Sequence, residues 1–183
     1  MANDSAPPCV ALTVELLEAP HYAGRRRYQL FPEYVACLRA AGADALLIPA
    51  DASPAEALRL LARCDGLLLT GGDDPDLSLL GGAAPLPVCK PIPRAQQEQV
   101  IALAGEALRR DLPLLGVCLG HQLLGIAHGA PFVQDIEHST AHTGGVRHAV
   151  RLDARSRLAA LTGVEQFEVS SFHHQALAGA GRG

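Results

Sequence analysis

The chain has 183 residues, of which 49% are hydrophobic and 4% aromatic, and its formal net charge is −4. This composition suits a globular domain with a core of leucine, alanine and valine, and it excludes a nucleic-acid partner held by a basic patch. No apolar stretch approaches the ~20 residues of a membrane-spanning helix, so we expect no membrane partner. The sequence shows no secretory signal and no disulfide pattern among its five cysteines, which together predict a cytoplasmic protein.

Apolar segments alternate with amphipathic ones through the first two thirds of the chain. Predicted strands span 8–14, 44–48, 66–69 and 114–117, and predicted helices span 32–41, 53–63, 96–110 and 120–128. Residues 21–31 are predicted to be a polar connection, and the Gly-, Asp- and Pro-rich residues 70–87 a loop. After Gly129 the pattern changes to short alternating pieces at 131–136, 147–153 and 165–172.

This alternation predicts an α/β fold, a three-layer sandwich with a mostly parallel central sheet between helices. Active sites in such folds lie beyond the carboxyl ends of the strands. Residues 70–76 and Cys118 both follow predicted strands. We therefore expect them to face one crevice.

The segment GVCLG, from Gly116 to Gly120, fits a strand-to-helix elbow that exposes a nucleophile, with cysteine in place of serine. The helix dipole favours an anion at this corner, so we expect the Cys118 thiolate to be more accessible than in an isolated cysteine. The N–H group of Leu119 would face a developing oxyanion, and Gly71 or Gly72 would supply a second N–H group. The alternatives are a buried, inert Cys118 and an ordinary glycine turn.

Two polar clusters have a simpler interpretation than metal binding. Turn chemistry accounts for the aspartates of DDPD, at 73–76, without an ion. The histidines of HSTAHTGGVRH, at 138–148, follow no helical spacing and have no paired cysteines, so we expect solvated loop histidines and no metal site. We expect His121 to pack or lie at the surface.

Three blocks of the sequence together resemble the class I glutamine amidotransferase-like superfamily. They are LLLTGGDDPDLSLLG at 67–81, PLLGVCLGHQLLGIAHGAPFVQDI at 113–136 and EVSSFHHQAL at 168–177. The CLGHQ form is shared with amidotransferases, whereas QDI and SFHHQA resemble the gamma-glutamyl-gamma-aminobutyrate hydrolase branch. The resemblance covers nearly the whole chain and implies a flavodoxin-like three-layer fold.

The resemblance also implies cleavage of a gamma-glutamyl amide through a thioester, without a metal or an organic cofactor. Cys118 matches the nucleophile, and Leu119 with Gly71 or Gly72 matches the oxyanion donors. Substrate-binding positions match at Gln122 and at three residues of the third block, His173, His174 and Gln175.

The family's catalytic histidine and glutamate come from a late His-Pro-Glu motif, which these 183 residues do not contain. We therefore expect a single domain, 1–183, that lacks the family's final segment and whose own activity is in doubt. One of His173 and His174 could substitute as the base, although their matched role is to line the pocket.

Three functions stay open: a gamma-glutamyl amide hydrolase, a silent member that binds gamma-glutamyl compounds, and a glutaminase subunit that supplies ammonia to a synthase. A sheet that ends early leaves an unpaired edge, so we also expect marginal stability or self-association, for example as a homodimer.

Overall fold

The computed structural model describes residues 6–181, which form two compact units. The first unit holds the residues up to Phe132 together with those from Leu177 onward, and the second is Val133–Ala176. The division lies close to the change of sequence pattern after Gly129. The interpretation of all 183 residues as a single domain stays a prediction.

The first unit begins with three strands and then alternates helices with strands. A 3-10 helix, Leu77–Leu80, interrupts the glycine-rich loop at 70–87. The elements are β1 (Cys9–Thr13), β2 (Glu15–Glu18), β3 (Arg26–Gln29), α1 (Pro32–Ala40), β4 (Asp44–Ile48), α2 (Pro54–Leu61), β5 (Gly66–Leu69), α3 (Arg94–Arg109), β6 (Leu114–Gly116) and α4 (Leu119–Ala127).

The central sheet has four parallel strands in the order β4-β1-β5-β6. This confirms the predicted α/β fold with a parallel central sheet. Across the sheet, the connection from β1 to β4 runs toward one edge, whereas those from β4 to β5 and from β5 to β6 run toward the other. Right-handed crossovers therefore place α1 on one face of the sheet and α2 and α3 on the other face. The order of the strands therefore reverses at β1 and β5, whose carboxyl ends form the switch point where such folds bind ligands.

The core lies between the sheet and helices α2, α3 and α4. Its buried residues are mainly leucine and alanine, as expected, whereas among residues 6–181 the expected valine is present in this core only as Val100. A buried leucine contributes roughly 1.5–3 kcal/mol through the hydrophobic effect. Its most deeply buried members are Ala11, Ile48, Ala57, Leu61, Leu69, Leu103, Ala107 and Leu123. No helix among residues 6–181 is both long enough and apolar enough to span a bilayer.

The two outer strands of the sheet expose leucine side chains. Leu115 on β6 is 61% exposed and Leu47 on β4 is 49% exposed. Both lie in one row across the sheet, since Leu12 is opposite Leu47 and Leu68, and Leu68 is opposite Leu115. Self-association through such a surface stays a prediction.

The second unit is built around an antiparallel pair of strands, β8 (Val146–Arg151) and β9 (Gln166–Ser171). The chain between them forms helix α5 (Arg157–Thr162), which the hydroxyl of Ser156 caps by accepting the Ala159 N–H at 3.1 Å. A 3-10 helix, Ser139–His142, precedes β8. Two-residue strands, β7 (Phe132–Val133) and β10 (Ala176–Leu177), lie at the boundaries of the unit.

The prediction of a polar connection at 21–31 is wrong in part. Strands β2 and β3 pair antiparallel, with Glu18 opposite Arg26 and Leu17 opposite Arg27. The arginines suggested a loop because they are exposed, but one exposed strand face tolerates them and opposite charges favour the pairing. Helix α5 was not predicted, since its six residues are too few to show a helical period.

Candidate active site

The carboxyl ends of β1 and β5 are joined by buried threonine side chains. The Thr13 hydroxyl accepts the Thr70 N–H at 2.9 Å, and the Thr70 hydroxyl donates to the Thr13 carbonyl at 2.9 Å. Both residues are about 5% exposed. These hydrogen bonds fix the start of the glycine loop at the switch point of the sheet.

Cys118 occupies a strained elbow between β6 and α4. Its backbone has φ of 50° and ψ of −112°, a conformation that residues with a side chain rarely adopt. The Val117 N–H donates to the Leu69 carbonyl at 2.9 Å and the Gly120 N–H to the Thr70 carbonyl at 3.1 Å, so β5 holds the elbow on both sides of the cysteine. This geometry confirms the strand-to-helix turn that GVCLG predicts.

The two glycines of the elbow are required by close packing. A Cβ atom at Gly116 would lie 2.7 Å from the His121 nitrogen. At Gly120 it would overlap the carbonyl oxygen and Cβ of Leu69. No larger residue fits either position without moving the backbone, because the obstacles are main-chain atoms.

Two backbone N–H groups point to the thiol. Those of Leu119 and Gly72 form hydrogen bonds that favour the thiolate of Cys118. The Gly71 N–H instead donates to the Tyr34 hydroxyl at 3.0 Å. Of the two glycines that the sequence offered as donors, Gly72 therefore has its N–H directed at the sulphur.

The expected ease of ionisation at Cys118 is wrong. Although the residue is exposed, partial burial of the thiol raises its pKa above the ordinary value, and the charges of Asp74 and Glu15 raise it further. The Leu119 and Gly72 N–H groups oppose this rise without cancelling it. Nucleophilic attack at neutral pH therefore requires a group that removes the thiol proton.

Glu15, at the start of β2, is a site residue that the sequence analysis missed. Its Oε1 accepts the Asp73 N–H at 3.2 Å, and a Cβ atom at Gly72 would lie 2.8 Å from the same oxygen. Burial, aided by the charge of Asp73, raises its pKa. Glu15 could have been found from the rule that active sites lie beyond the carboxyl ends of the strands, since it follows β1 as Gly72 follows β5. Tyr34 lies on α1, and no feature of the sequence indicated that it would reach the site.

Replacing Glu15 with glutamine is expected to lower the pKa of Cys118, because it removes a nearby negative charge and keeps an acceptor for the Asp73 N–H. The rate of iodoacetamide alkylation of Cys118, measured against pH, should then rise at lower pH than in the parent chain. Glu18→Gln, on the same strand, is the matched control and should leave the profile unchanged. An unaltered profile in Glu15→Gln would contradict the assigned coupling.

The aspartates of the glycine loop have the predicted turn roles. Asp76 accepts the N–H and hydroxyl of Ser78 and thereby caps the 3-10 helix. An Asp74 carboxylate oxygen accepts the Lys90 N–H at 2.7 Å. Gln97, fully buried, holds the same loop through the N–H and carbonyl of Asp76.

The matched substrate-binding residues are divided between the units. Gln122 is buried on α4 one turn after Cys118, and its N–H donates to the Cys118 carbonyl. His173, His174 and Gln175 belong to the second unit. There the Nδ1 atom of His174 lies 3.1 Å from Asp135 Oδ1, and Gln175 is 2% exposed.

The expectation of separate, solvated histidines is wrong for part of the segment 138–148. His142, His148 and His173 are half-buried and offer ring nitrogens that lie within 4.8 Å of one another. Residues distant in sequence meet here because the His173 N–H donates to the His142 carbonyl at 2.8 Å. His138 and His121 are exposed, as expected.

A family model described as Peptidase C26 matches residues 8–183. The chain belongs to the Peptidase C26 family. Within the class I glutamine amidotransferase-like superfamily, a Mycobacterium tuberculosis protein, Rv2859c, carries a glutamine amidotransferase name and is 33% identical over 151 residues, 79% of this chain and 48% of its own length. The glutamine amidotransferase-like protein YvdE of Lactococcus lactis is 29% identical over 153 residues, 78% of this chain and 62% of its own.

This Peptidase C26 chain thus spans about half to three fifths of the length of those relatives. Solved structures share its fold. A glutamine amidotransferase of Methylobacillus flagellatus has a TM-score of 0.58 at 23% identity, covering 95% of this chain and 58% of its own. One from Thermotoga maritima has a TM-score of 0.60 at 16% identity, covering 94% of this chain and 62% of its own.

Proposed function

We propose that this Peptidase C26 chain supplies the nucleophile of a gamma-glutamyl amide hydrolase, with Cys118 as the catalytic residue. One observation supports this above the others: the strained elbow presents a thiol to which two backbone N–H groups, from Leu119 and Gly72, are directed. A cysteine that served only to fill the core would need neither the strain nor the donors.

The reaction follows from this arrangement. The Cys118 thiolate attacks the carbonyl carbon of the amide, and the Leu119 and Gly72 N–H groups stabilise the resulting oxyanion. Collapse of the intermediate expels the amine, which must take up a proton, and leaves a thioester. Water then attacks the thioester, releasing the acid and restoring the thiol. The resemblance implies a base from a late His-Pro-Glu motif, which these 183 residues do not contain.

The substrate class is proposed from the resemblance and from charge. Gln122, His173, His174 and Gln175 match positions that contact the glutamyl group in the gamma-glutamyl-gamma-aminobutyrate hydrolase branch. The carboxylate of Glu15 adds a negative charge beside Gly72, which suits the α-ammonium group of a gamma-glutamyl compound.

A second candidate function is the glutaminase subunit of a synthase. It is favoured by similarity to the carbamoyl phosphate synthase small chain of Ruegeria pomeroyi, which is 29% identical over 134 residues, 66% of this chain and 30% of its own length. Such a subunit would use the same thioester chemistry on glutamine and pass the ammonia to its partner.

Competitive alkylation tests the proposed substrate class. With limiting iodoacetamide, glutamine or a gamma-glutamyl amine is expected to slow the labelling of Cys118, because the ligand covers the thiol, whereas simple alkyl amides should not. Peptide mapping follows each cysteine separately. Cys37, exposed on α1, is the internal control and should label at one rate throughout.

In the same peptide maps, Cys64 is expected to show the slowest labelling. Burial and then its contact with Cys9 raise the pKa of its thiol to about 12. Equal protection of Cys118 by gamma-glutamyl and alkyl amides would contradict the substrate class. Protection by glutamine but not by gamma-glutamyl amines would favour the glutaminase subunit over the hydrolase.

A further inference from the structure

We propose that His142, His148 and His173 form a binding site for a borderline divalent cation such as Zn²⁺, contained entirely in the second unit. The proposal rests on the geometry of these three histidines and not on the chemistry at Cys118, although His173 also matches a substrate-binding position. The sequence analysis expected no metal site in the segment 138–148, because the spacing of its histidines does not show that His173 joins them. The three residues come from a 3-10 helix, from β8 and from the segment after β9.

The three imidazole rings are already packed together. The ring centroids of His142 and His148 lie 4.7 Å apart in an edge-on arrangement, and those of His142 and His173 lie 5.2 Å apart. One ring nitrogen from each residue lies within 4.8 Å of the other two. Zinc binds histidine nitrogens at about 2.0–2.1 Å, which puts two nitrogens of a tetrahedral site about 3.4 Å apart. Rotation of the rings about their side-chain bonds would bring the three nitrogens from within 4.8 Å to the shorter separation that the ion requires.

Hydrogen bonds orient two of the rings as metal sites require. The Nδ1 atom of His173 lies 3.0 Å from the Gln175 carbonyl, which fixes the proton on Nδ1 and leaves the Nε2 lone pair free to bind a cation. His148 Nδ1 lies 3.3 Å from the Ala149 carbonyl and favours the same tautomer. Its Nε2 lies 2.6 Å from the Ser171 hydroxyl, which would rotate aside or bind the ion through oxygen.

His142 supplies the second, independent sign of a ligand. Its Nδ1 atom is buried and has no hydrogen-bond partner among residues 6–181. A buried polar nitrogen without a partner is unfavourable. A cation bound at the Nδ1 atom of His142 would supply the missing partner. Three neutral imidazoles with space for water in the remaining positions are a donor set that suits zinc, cobalt, nickel or copper and not magnesium or calcium.

Titration of the 183-residue chain with Co²⁺ alone tests the site, because cobalt bound by histidines in a tetrahedral site gives strong visible absorption without a thiolate charge-transfer band. Zn²⁺ should then displace it. His142→Ala, His148→Ala and His173→Ala are each expected to weaken binding at least ~10–100-fold, the range found when even the supporting groups of a metal site are lost. His138→Ala, exposed in the same segment, is the matched control and should not change the affinity.

Protection of the parent chain provides a readout that does not depend on the folding of variants. Zn²⁺ should shield His142, His148 and His173 from diethyl pyrocarbonate, followed by peptide mapping, and leave His138 and His128 reactive. Mg²⁺ should protect none of them. The proposal is overturned if Co²⁺ gives no histidine-type spectrum, if the thiolate band appears, or if the three histidines react equally with and without Zn²⁺.

Discussion

Replacing Cys118 with alanine is expected to abolish the burst of p-nitrophenolate that we predict when the chain meets a p-nitrophenyl ester of the γ-carboxyl of glutamate. The leaving group of the ester needs no protonation. At a pH high enough to ionise the thiol without a base, the Cys118 thiolate and the two oxyanion donors therefore suffice to form the thioester. Loss of the nucleophile should reduce the acylation rate by at least about 10³-fold. Cys37→Ala, which removes an exposed thiol on α1, should keep the full burst.

The same chain is expected to turn over gamma-glutamyl amides negligibly. An amine is a poor leaving group and must be protonated as the intermediate collapses, a step to which a general acid contributes ~10²–10⁴-fold. The charged groups that act on Cys118 in the first unit are the carboxylates Asp74 and Glu15, and the 183 residues contain no His-Pro-Glu motif. Amide hydrolysis at ordinary enzyme rates would show that another residue supplies the proton, and His173→Ala and His174→Ala would be the first variants to examine.

Gly120→Ala is expected to lower the free energy of unfolding by at least about 2 kcal/mol, near the upper part of the range for overpacked cores. The new Cβ atom would overlap the Leu69 carbonyl and Cβ, which belong to a central strand and cannot rotate away. The displaced elbow should also slow acylation of Cys118. Urea unfolding followed by circular dichroism measures the first effect, and the ester burst measures the second.

Gly105→Ala is the matched control. Gly105 lies within α3, and a Cβ atom there would meet no atom within 4 Å. The substitution should raise the free energy of unfolding by about 0.5–1 kcal/mol, since alanine restricts the unfolded chain and favours a helix. A loss of stability at Gly105 equal to that at Gly120 would contradict the packing described for the elbow.

Much of the first unit could be predicted from the sequence because its signals are local. The strands Asp44–Ile48 and Gly66–Leu69 have the predicted bounds, and Ser53 caps α2 by accepting the Glu56 N–H at 3.3 Å, as its spacing indicates. The elbow was predictable as well, since Gly116 and Gly120 are required by contacts within a few residues of Cys118 or with the adjacent strand.

Features that depend on distant contacts could not be predicted in this way. The role of Gly72 rather than Gly71 is decided by Tyr34, 37 residues away, whose hydroxyl engages the Gly71 N–H. The pKa of Cys118 depends on burial and on Glu15, neither of which the helix-dipole argument contains. The cluster of His142, His148 and His173 forms only when β8 and β9 pair, so histidines that look like loop residues become neighbours.

Mass spectrometry of the acylated chain is the most direct measurement of the proposed chemistry. The chain is mixed with the γ-glutamyl p-nitrophenyl ester, quenched in acid and digested. We predict one glutamyl adduct, on the peptide that contains Cys118, released by hydroxylamine as a thioester is, and absent from Cys118→Ala. An adduct on Cys9, Cys37, Cys64 or Cys89, or no adduct on any cysteine, would contradict the assignment of Cys118 as the nucleophile.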